Sequence, residues 1–368
     1  MMLWSSALLV LLGPSGPLWA QRPPTVFVDL DLSPEQRWEH LQEAFNTDLM
    51  KKAAQILISS QVPNWLHKAT SPIVMSLEKH IPQPYAGEIR GIASMMKMNL
   101  ADVVILNFAY EFTAYCTSIV AQDENGNIYH GRNFDFPHSV LRNLTMNVVF
   151  FKNGEPAYFG TSLAGYVGLW TGMSPYKFTV SGNQRGKTVW SNWWKNVVSA
   201  VFVHNFPVSW LVRVTLEEAK DFEDAVTRLS KTPLITGVYY IVGGVRAGEG
   251  VVITRDQKGP ADIWPLEPLN GGWYRVQTNF DHWLPPPKRV NRRLVVSQIR
   301  KKLDAVGQNR ICMDKLYQAS SEEVMRVTAH FMNMWINIIM EHFSPGSVSS
   351  PVEKHLIVSP SPPPSTCL

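Results

Sequence analysis

Cysteine is scarce in this chain: three of 368 residues, Cys116, Cys312 and Cys367. That number suits neither a disulfide framework nor a zinc site. Charge is scarce too, with 17% charged residues, a net charge of +4 and no long Lys/Arg block. Those values exclude a nucleic-acid footprint. With 45% hydrophobic residues the chain is not generally disordered either. Internal repeats are absent, and beyond the N-terminus no apolar run is long enough to span a bilayer. What is abundant is tryptophan, thirteen residues, a composition that directs attention to apolar or membrane-proximal ligands. The length accommodates one large domain or two small ones, with roughly three quarters of the unfolded surface buried in a single body.

Met1 to Ala20 reads as a secretory signal. Its apolar stretch Ala7–Leu12 is short, Gly13 and Pro14 break it, and small Ala20 ends it. The absence of Lys or Arg before that stretch and the large Leu18 leave a buried N-terminal strand as the alternative. Asn143-Leu144-Thr145 is a glycosylation sequon in keeping with the secretory route.

Ser33-Pro34-Glu35-Gln36 predicts a helix start, continued at helical spacing by Leu41, Phe45 and Leu49 toward Ile58. Ser71-Pro72 predicts a second helix, and Asn99-Leu100-Ala101-Asp102 a third running toward Cys116. After Cys116 the pattern turns to strands. Thr117–Gln122 and Asn127–Arg132 flank Asp123-Glu124-Asn125-Gly126, a hairpin signal, and Met146–Lys152 and Ala157–Thr161 flank a second at Asn153-Gly154. Further strands are predicted at Tyr166–Thr171, Phe178–Ser181, Val238–Val242, Val251–Thr254 and Trp273–Thr278. Helices are predicted near Asn192–His204 and Thr215–Leu229. This order gives an α+β fold with layered, largely antiparallel sheets. A last helix, Glu322–Phe343, is predicted from the stripe Val324, Val327, Phe331, Met334, Ile338 and Ile339, followed by a Pro/Ser-rich tail, Ser344–Leu368, expected to stay unpacked.

Cys116 has two readings. Most lone cysteines at a helix–strand junction are small core residues. A nucleophile, by contrast, works as thiolate, and ionising an ordinary thiol at pH ~5 costs about 5 kcal/mol. A fixed cation lowers that cost. The hairpin after Cys116 returns Arg132 toward it, and Asp135 just beyond could orient an amine or the guanidinium. Spacing leaves both readings open. Asp135 is equally readable as a hairpin-end cap, and Asn279 as a turn residue.

The stretches Cys116-Thr117-Ser118-Ile119-Val120 and Gly131-Arg132-Asn133-Phe134-Asp135 resemble those of a known enzyme group. So do Pro84–Gly91, Gly165–Gly172, Tyr239–Gly244 and Thr278–Trp283, all in the same order over about Phe27 to Gln308. The group is the lysosomal acid amidases that hydrolyse N-acylethanolamines, related to acid ceramidase within the cholylglycine-hydrolase branch of the N-terminal-nucleophile hydrolases. The resemblance implies an αββα sandwich with an α-helical N-terminal segment, and no cofactor or metal. It implies a precursor that cleaves its own Tyr115–Cys116 bond into an α/β heterodimer. Residues 1–20 would then be signal, 21–115 a helical alpha subunit, 116–308 the catalytic beta-subunit core and 309–368 a divergent helix and tail. The freed α-amine would act as acid–base partner of Cys116, so neither His130 nor His282 is required as base. By the same resemblance Arg132 would stabilise the thiolate, Asp135 would bind the α-amine, and Asn279 would donate to the oxyanion. The implied substrate is a lipid amide such as palmitoylethanolamide, met in the lysosome and at its membrane surface. Trp170, Trp193, Trp194 and Tyr166 are candidates for an acyl channel, with core packing the commoner role for each.

This sequence departs from that group at two places. Gln184 stands where the group carries a glutamate that pairs with the arginine and takes part in acid-triggered maturation, which implies a weaker or less pH-dependent self-cleavage. After Gln308 the resemblance stops, and the expected consequence is loss of sheet-completing strands. A non-catalytic or unstable isoform binding lipid or protein, and an amidase acting on ceramide, are the competing readings.

Overall fold

The computed structural model describes residues 23–61, 78–109, 115–136, 139–185, 205–284, 292–327, 332–338 and 356–357. The signal segment, the Ser71-Pro72 helix start, the Asn192–His204 helix, Trp193 and Trp194 lie outside the described residues.

Two sheets form the interior. The larger has eight strands in the order β1 (Thr25–Asp29), β4 (Thr145–Lys152), β5 (Glu155–Leu163), β6 (Thr171–Ser174), β7 (Phe178–Gln184), β8 (Val238–Gly243), β9 (Gly250–Arg255) and β10 (Pro260–Pro265). All neighbours are antiparallel except β1, which pairs parallel to β4. The smaller sheet runs β11 (Tyr274–Gln277), β2 (Tyr115–Gln122), β3 (Ile128–Phe136), β12 (Met332–Ile338) and β13 (Leu356–Ile357). The two pack face to face, with β2 and β3 against β7, β8 and β9. Side-chain alternation along β2 decides what each face carries. Ile119 and Ala121 join an apolar cluster with Val295, Ile299 and Leu303 of α7 (Arg292–Val306) and Leu316 of α8 (Met313–Val327). Val120 points the other way and meets Tyr239, Ile241 and Val252 of the larger sheet. The outer face of the larger sheet is covered by α5 (Val208–Glu218) and α6 (Phe222–Lys231), which also share one apolar cluster with α2 (Thr47–Gln61), α3 (Tyr85–Met96) and α4 (Leu100–Ala109). The layers are therefore α, β, β, α. Among the described residues, no helix is long and apolar enough to cross a membrane.

Both hairpins form where their turn signals stand. Asp123 closes the first by accepting from the Asn127 backbone N–H at 2.8 Å, and Asn153 and Gly154 turn the second with φ of 53° and 77°. Several expectations are corrected. The segment after Ser33 is a series of turns, with only Leu41–Ala44 (α1) helical before Asn46, whose side chain accepts from the Asp48 and Leu49 backbones and starts α2 afresh. The N-terminal segment is not purely helical, because β1 joins the larger sheet. Tyr166–Trp170 is a loop after Gly165 (φ 89°), and the strand begins at Thr171. Thr215–Leu229 is two helices, divided where Asp221 accepts from the Asp224 backbone and caps α6. Cys312, just before α8, is disulfide-bonded.

The largest correction concerns the C-terminal region. No helix spans Glu322–Phe343: α8 ends at Val327, and Met332–Ile338 is a strand antiparallel to β3, with Ile336 opposite Arg132. Met332-Asn333-Met334-Trp335-Ile336-Asn337-Ile338 places Met, Met, Ile and Ile at every second position, a strand period that a helical stripe drawn through the same residues overlooks. The open edge of β3 supplies the partner. The smaller sheet is thus extended after Gln308 rather than truncated, and Leu356–Ile357 of the tail pairs with β12.

Candidate active site

The hairpin register brings the sequence-predicted residues together. Cys116 lies opposite Phe134 and Ser118 opposite Arg132, so the Cys116 and Arg132 side chains share the face that looks into the space between the sheets. Cys116 is fully buried and Arg132 is 1% exposed. One guanidinium nitrogen of Arg132, Nη2, donates to the Cys116 sulfur at 3.1 Å and to the Gly182 carbonyl at 2.7 Å. The other, Nη1, donates to Thr171 Oγ1, and the guanidinium carbon sits 4.0 Å from the Phe134 ring centroid. A cation held beside sulfur by two other oriented acceptors, the Gly182 carbonyl and the Thr171 hydroxyl, favours thiolate over thiol, and thiolate is the nucleophilic form.

Asn279, in the loop after β11, reaches the same place from the far side of β2. Its Oδ1 accepts from the Cys116 backbone N–H at 2.9 Å, and its Nδ2 donates to the Gln184 carbonyl at 2.7 Å. An amide group anchored at both ends cannot rotate away from Cys116. One of its two N–H bonds is used by the Gln184 carbonyl. The Asp135 backbone pairs with Tyr115 on one side and Asn333 on the other, while the side chains of Asp135 and Tyr115 fall outside the described residues. Gln184 enters through its main-chain carbonyl. Trp170 lies against this site: a Cβ on Gly182 would come within 2.7 Å of the Trp170 ring, so only glycine fits there. Tyr166 does not join the group. It is buried against α5, with its hydroxyl 2.5 Å from Ser209 Oγ. Asn143, the asparagine of the sequon, is exposed.

A line of hydrogen bonds that motif reading overlooks runs alongside. Thr179, Ser181 and Asn183, alternate residues of β7, are all fully buried. Ser181 Oγ lies 2.9 Å from Ser118 Oγ, which donates to Asn183 Oδ1 at 2.9 Å, and Asn183 Nδ2 donates to the Gln277 carbonyl at 3.0 Å. The two ring nitrogens of His130 lie 2.8 Å from Thr179 Oγ1 and Ser181 Oγ. The available signal was a strand whose polar residues recur with period two although both faces of the sheet are covered.

Burial, and secondarily the Arg132 charge, push the His130 imidazole down to about 3. A ring held neutral with both nitrogens engaged is unsuited to serve as general base. It also carries a stability consequence. Between pH 6.5 and 3 the unfolded chain binds a proton that the folded one refuses. The contribution is therefore complete above the unfolded value and is lost as pH falls toward the folded one. At about 1.4 kcal/mol per pH unit, the loss at pH 5 is about 2 kcal/mol. Urea unfolding of wild type and His130→Gln at pH 7 and pH 5 checks this. The fall in free energy between the two pH values should be smaller in the variant by about that amount, and equal falls would refute the assignment.

Among the described residues, no group of three or more His, Cys, Asp or Glu side chains is placed to hold a metal ion.

A family model described as linear amide C–N hydrolases of the choloylglycine hydrolase family matches residues 116–308. A second, described as the beta subunit of N-acylethanolamine-hydrolyzing acid amidase, matches residues 21–81. The chain is 51% identical over 320 residues to the N-acylethanolamine-hydrolyzing acid amidase of Rattus norvegicus, covering 86% of this chain and 87% of that one. Against the acid ceramidase of Homo sapiens the identity is 31% over 333 residues, covering 84% and 82%. A solved structure, a Caenorhabditis elegans N-acylethanolamine-hydrolyzing acid amidase ortholog, is 32% identical with a TM-score of 0.53, over 60% of this chain and 92% of that one. A thiol, a guanidinium and a carboxamide meeting between two sheets, in a chain with these relatives, make it a member of the choloylglycine hydrolase family of linear amide C–N hydrolases, an amidase with the N-terminal-nucleophile fold.

Proposed function

We propose that this amidase hydrolyses fatty-acid ethanolamides to fatty acid and ethanolamine in the lysosome, with Cys116 as nucleophile after self-cleavage of the Tyr115–Cys116 bond into two associated subunits. The observation that carries the reading is the double hold on Cys116: Arg132 on its sulfur at 3.1 Å and Asn279 on its backbone nitrogen at 2.9 Å. Once that nitrogen is a free amine, it lies on the same residue as the sulfur and takes the thiol proton. Sulfur then attacks the amide carbonyl, and the oxyanion draws on the remaining Asn279 N–H. Collapse expels ethanolamine carrying the proton, and water hydrolyses the thioester to release fatty acid and restore the thiol.

Ceramide hydrolysis is the nearer rival, and identity of 51% to an N-acylethanolamine-hydrolyzing enzyme against 31% to an acid ceramidase favours the ethanolamide. The non-catalytic reading rests on an amphipathic C-terminal helix and on lost strands; the described residues have β12 on the edge of β3 instead, which weakens both grounds. The test is incubation of purified precursor from pH 4 to 8 with palmitoylethanolamide and, separately, ceramide. The expected outcome is ethanolamine release together with a fragment whose N-terminal sequence is Cys-Thr-Ser-Ile. Gln184 cannot titrate, so the cleavage rate should rise only shallowly toward acid. Turnover by a single uncleaved chain, or preference for ceramide, would overturn the proposal.

A further inference from the structure

Asn279 can position Cys116 only if the loop that carries it is itself fixed. β11 ends at Gln277, whose side chain donates to the Thr278 and Phe280 carbonyls at 3.2 and 2.8 Å and folds the loop onto its own strand. Two residues after Asn279 comes Asp281, a carboxylate only 6% exposed. Arg185, the residue after Gln184, donates to it through Nε at 2.8 Å and Nη2 at 2.9 Å. The Tyr239 hydroxyl of β8 adds a third bond at 2.7 Å. Arg185 is in turn tied by Nη1 to the Arg255 carbonyl at 3.1 Å and to Asp256 at 2.7 Å, at the end of β9.

Gln184 and Arg185 are consecutive, and so nearly are Asn279 and Asp281. Two links therefore join the same two segments: a carboxamide–carbonyl bond beside Cys116, and a bidentate ion pair one step further out. A planar guanidinium meeting a carboxylate through two parallel bonds sets distance and angle together, which a single hydrogen bond does not. We propose that Asp281, clamped by Arg185 and Tyr239, is the positioning residue that holds Asn279 on Cys116. This rests on the amidase reading above and adds a specific dependence to it. Without the carboxylate charge, the loop keeps its own bonds through Gln277 but loses its registration against β7, β8 and β9. Misplacement of a catalytic group by about 1 Å lowers turnover by up to about 100-fold.

The test compares Asp281→Asn in two backgrounds, wild type and Asn279→Ala. In the first, kcat on palmitoylethanolamide should fall about 10- to 100-fold with KM changed less than about threefold. In the second, where nothing remains for Asp281 to position, the same substitution should cost less than about threefold. Tyr239→Phe, which removes one hydrogen bond and keeps the ion pair, should show a smaller loss with the same dependence on Asn279, and serves if Asp281→Asn fails to fold. Hydrogen exchange at the residue-116 amide, followed in the uncleaved Cys116→Ala chain, gives a readout independent of turnover. Protection there should drop in Asp281→Asn. Equal losses in both backgrounds, or unchanged protection, would overturn the inference. A wild type without ethanolamide turnover would sink the functional proposal, and the exchange measurement would still decide the positioning one.

Discussion

Cys116→Ala should reduce amide hydrolysis to the uncatalysed background, a loss of at least about 10⁴-fold, because covalent catalysis has no substitute once its nucleophile is gone. The chain should also remain uncut. The structure makes this a clean experiment. Cys116 sits in a continuous strand with its backbone N–H on Asn279, a bond the alanine variant keeps. Arg132 loses sulfur as an acceptor but retains the Gly182 carbonyl and Thr171 hydroxyl, so its buried charge is not left bare. The variant should accordingly unfold within a few degrees of wild type. Product release and thermal unfolding, measured on the same preparation, check both halves. Equal turnover by wild type and variant would remove Cys116 from the chemistry and with it the roles assigned to Arg132 and Asn279. Cys116→Ser separates the parts further. Its hydroxyl fills the same space and can accept from Arg132, but a hydroxyl is far harder to ionise than a thiol, so turnover should stay close to that of alanine.

The proximity of Cys116 and Arg132 was legible because it is local. An Asn-Gly turn fixes a hairpin's register, and the register places residues 116 and 132 on one face. Asn279 was reachable only through a motif, since nothing in its spacing from Cys116 indicates that β11 pairs with β2. Arg185, Asp281 and Tyr239 were invisible for the same reason: three polar residues far apart in sequence become one network only when two sheets stack. In the C-terminal region two periods compete. Val324 and Val327 belong to a true helix, and continuing its stripe through Phe331, Met334 and Ile338 absorbed a segment that alternates with period two. What decided between the two patterns was the exposed backbone of β3, a long-range demand with no local signature. The division of Thr215–Leu229 has the opposite cause. Asp221 was a cap signal in plain view, masked by the apolar residues on either side.

Glu88→Gln should destabilise the protein by about 3–5 kcal/mol, the usual consequence of removing one partner from a buried ion pair. Glu88 lies on α3, completely buried. Arg213 of α5 grips it with Nη1 on Oε2 and with Nη2 on Oε1 at 2.7 Å, while Trp38 Nε1 donates to Oε2 at 2.8 Å and Arg37 Nη1 to Oε1 at 3.1 Å. Burial alone would push the Arg213 guanidinium down, and the carboxylate more than offsets it, holding the group well above its ordinary value. The glutamine variant keeps the shape and loses the compensating charge, leaving a cation that cannot discharge. Urea unfolding at neutral pH should show the loss, and a change below about 1 kcal/mol would refute the assignment. The double variant Glu88→Leu/Arg213→Met should recover only part of it: two apolar side chains need no charge compensation, but Trp38 Nε1 and Arg37 Nη1 lose their acceptor. The location gives the pair a further consequence. Glu88 and Trp38 precede the Tyr115–Cys116 bond and Arg213 follows it, so on the proposed cleavage this pair joins two separate polypeptides, together with β1 against β4. After maturation the Glu88→Gln protein should lose its N-terminal segment on gel filtration under conditions in which wild type retains it. Co-elution of both fragments in the variant, at the same urea concentration as wild type, would place the association in β1 against β4 and in the apolar cluster that α2, α3 and α4 share with α5 and α6.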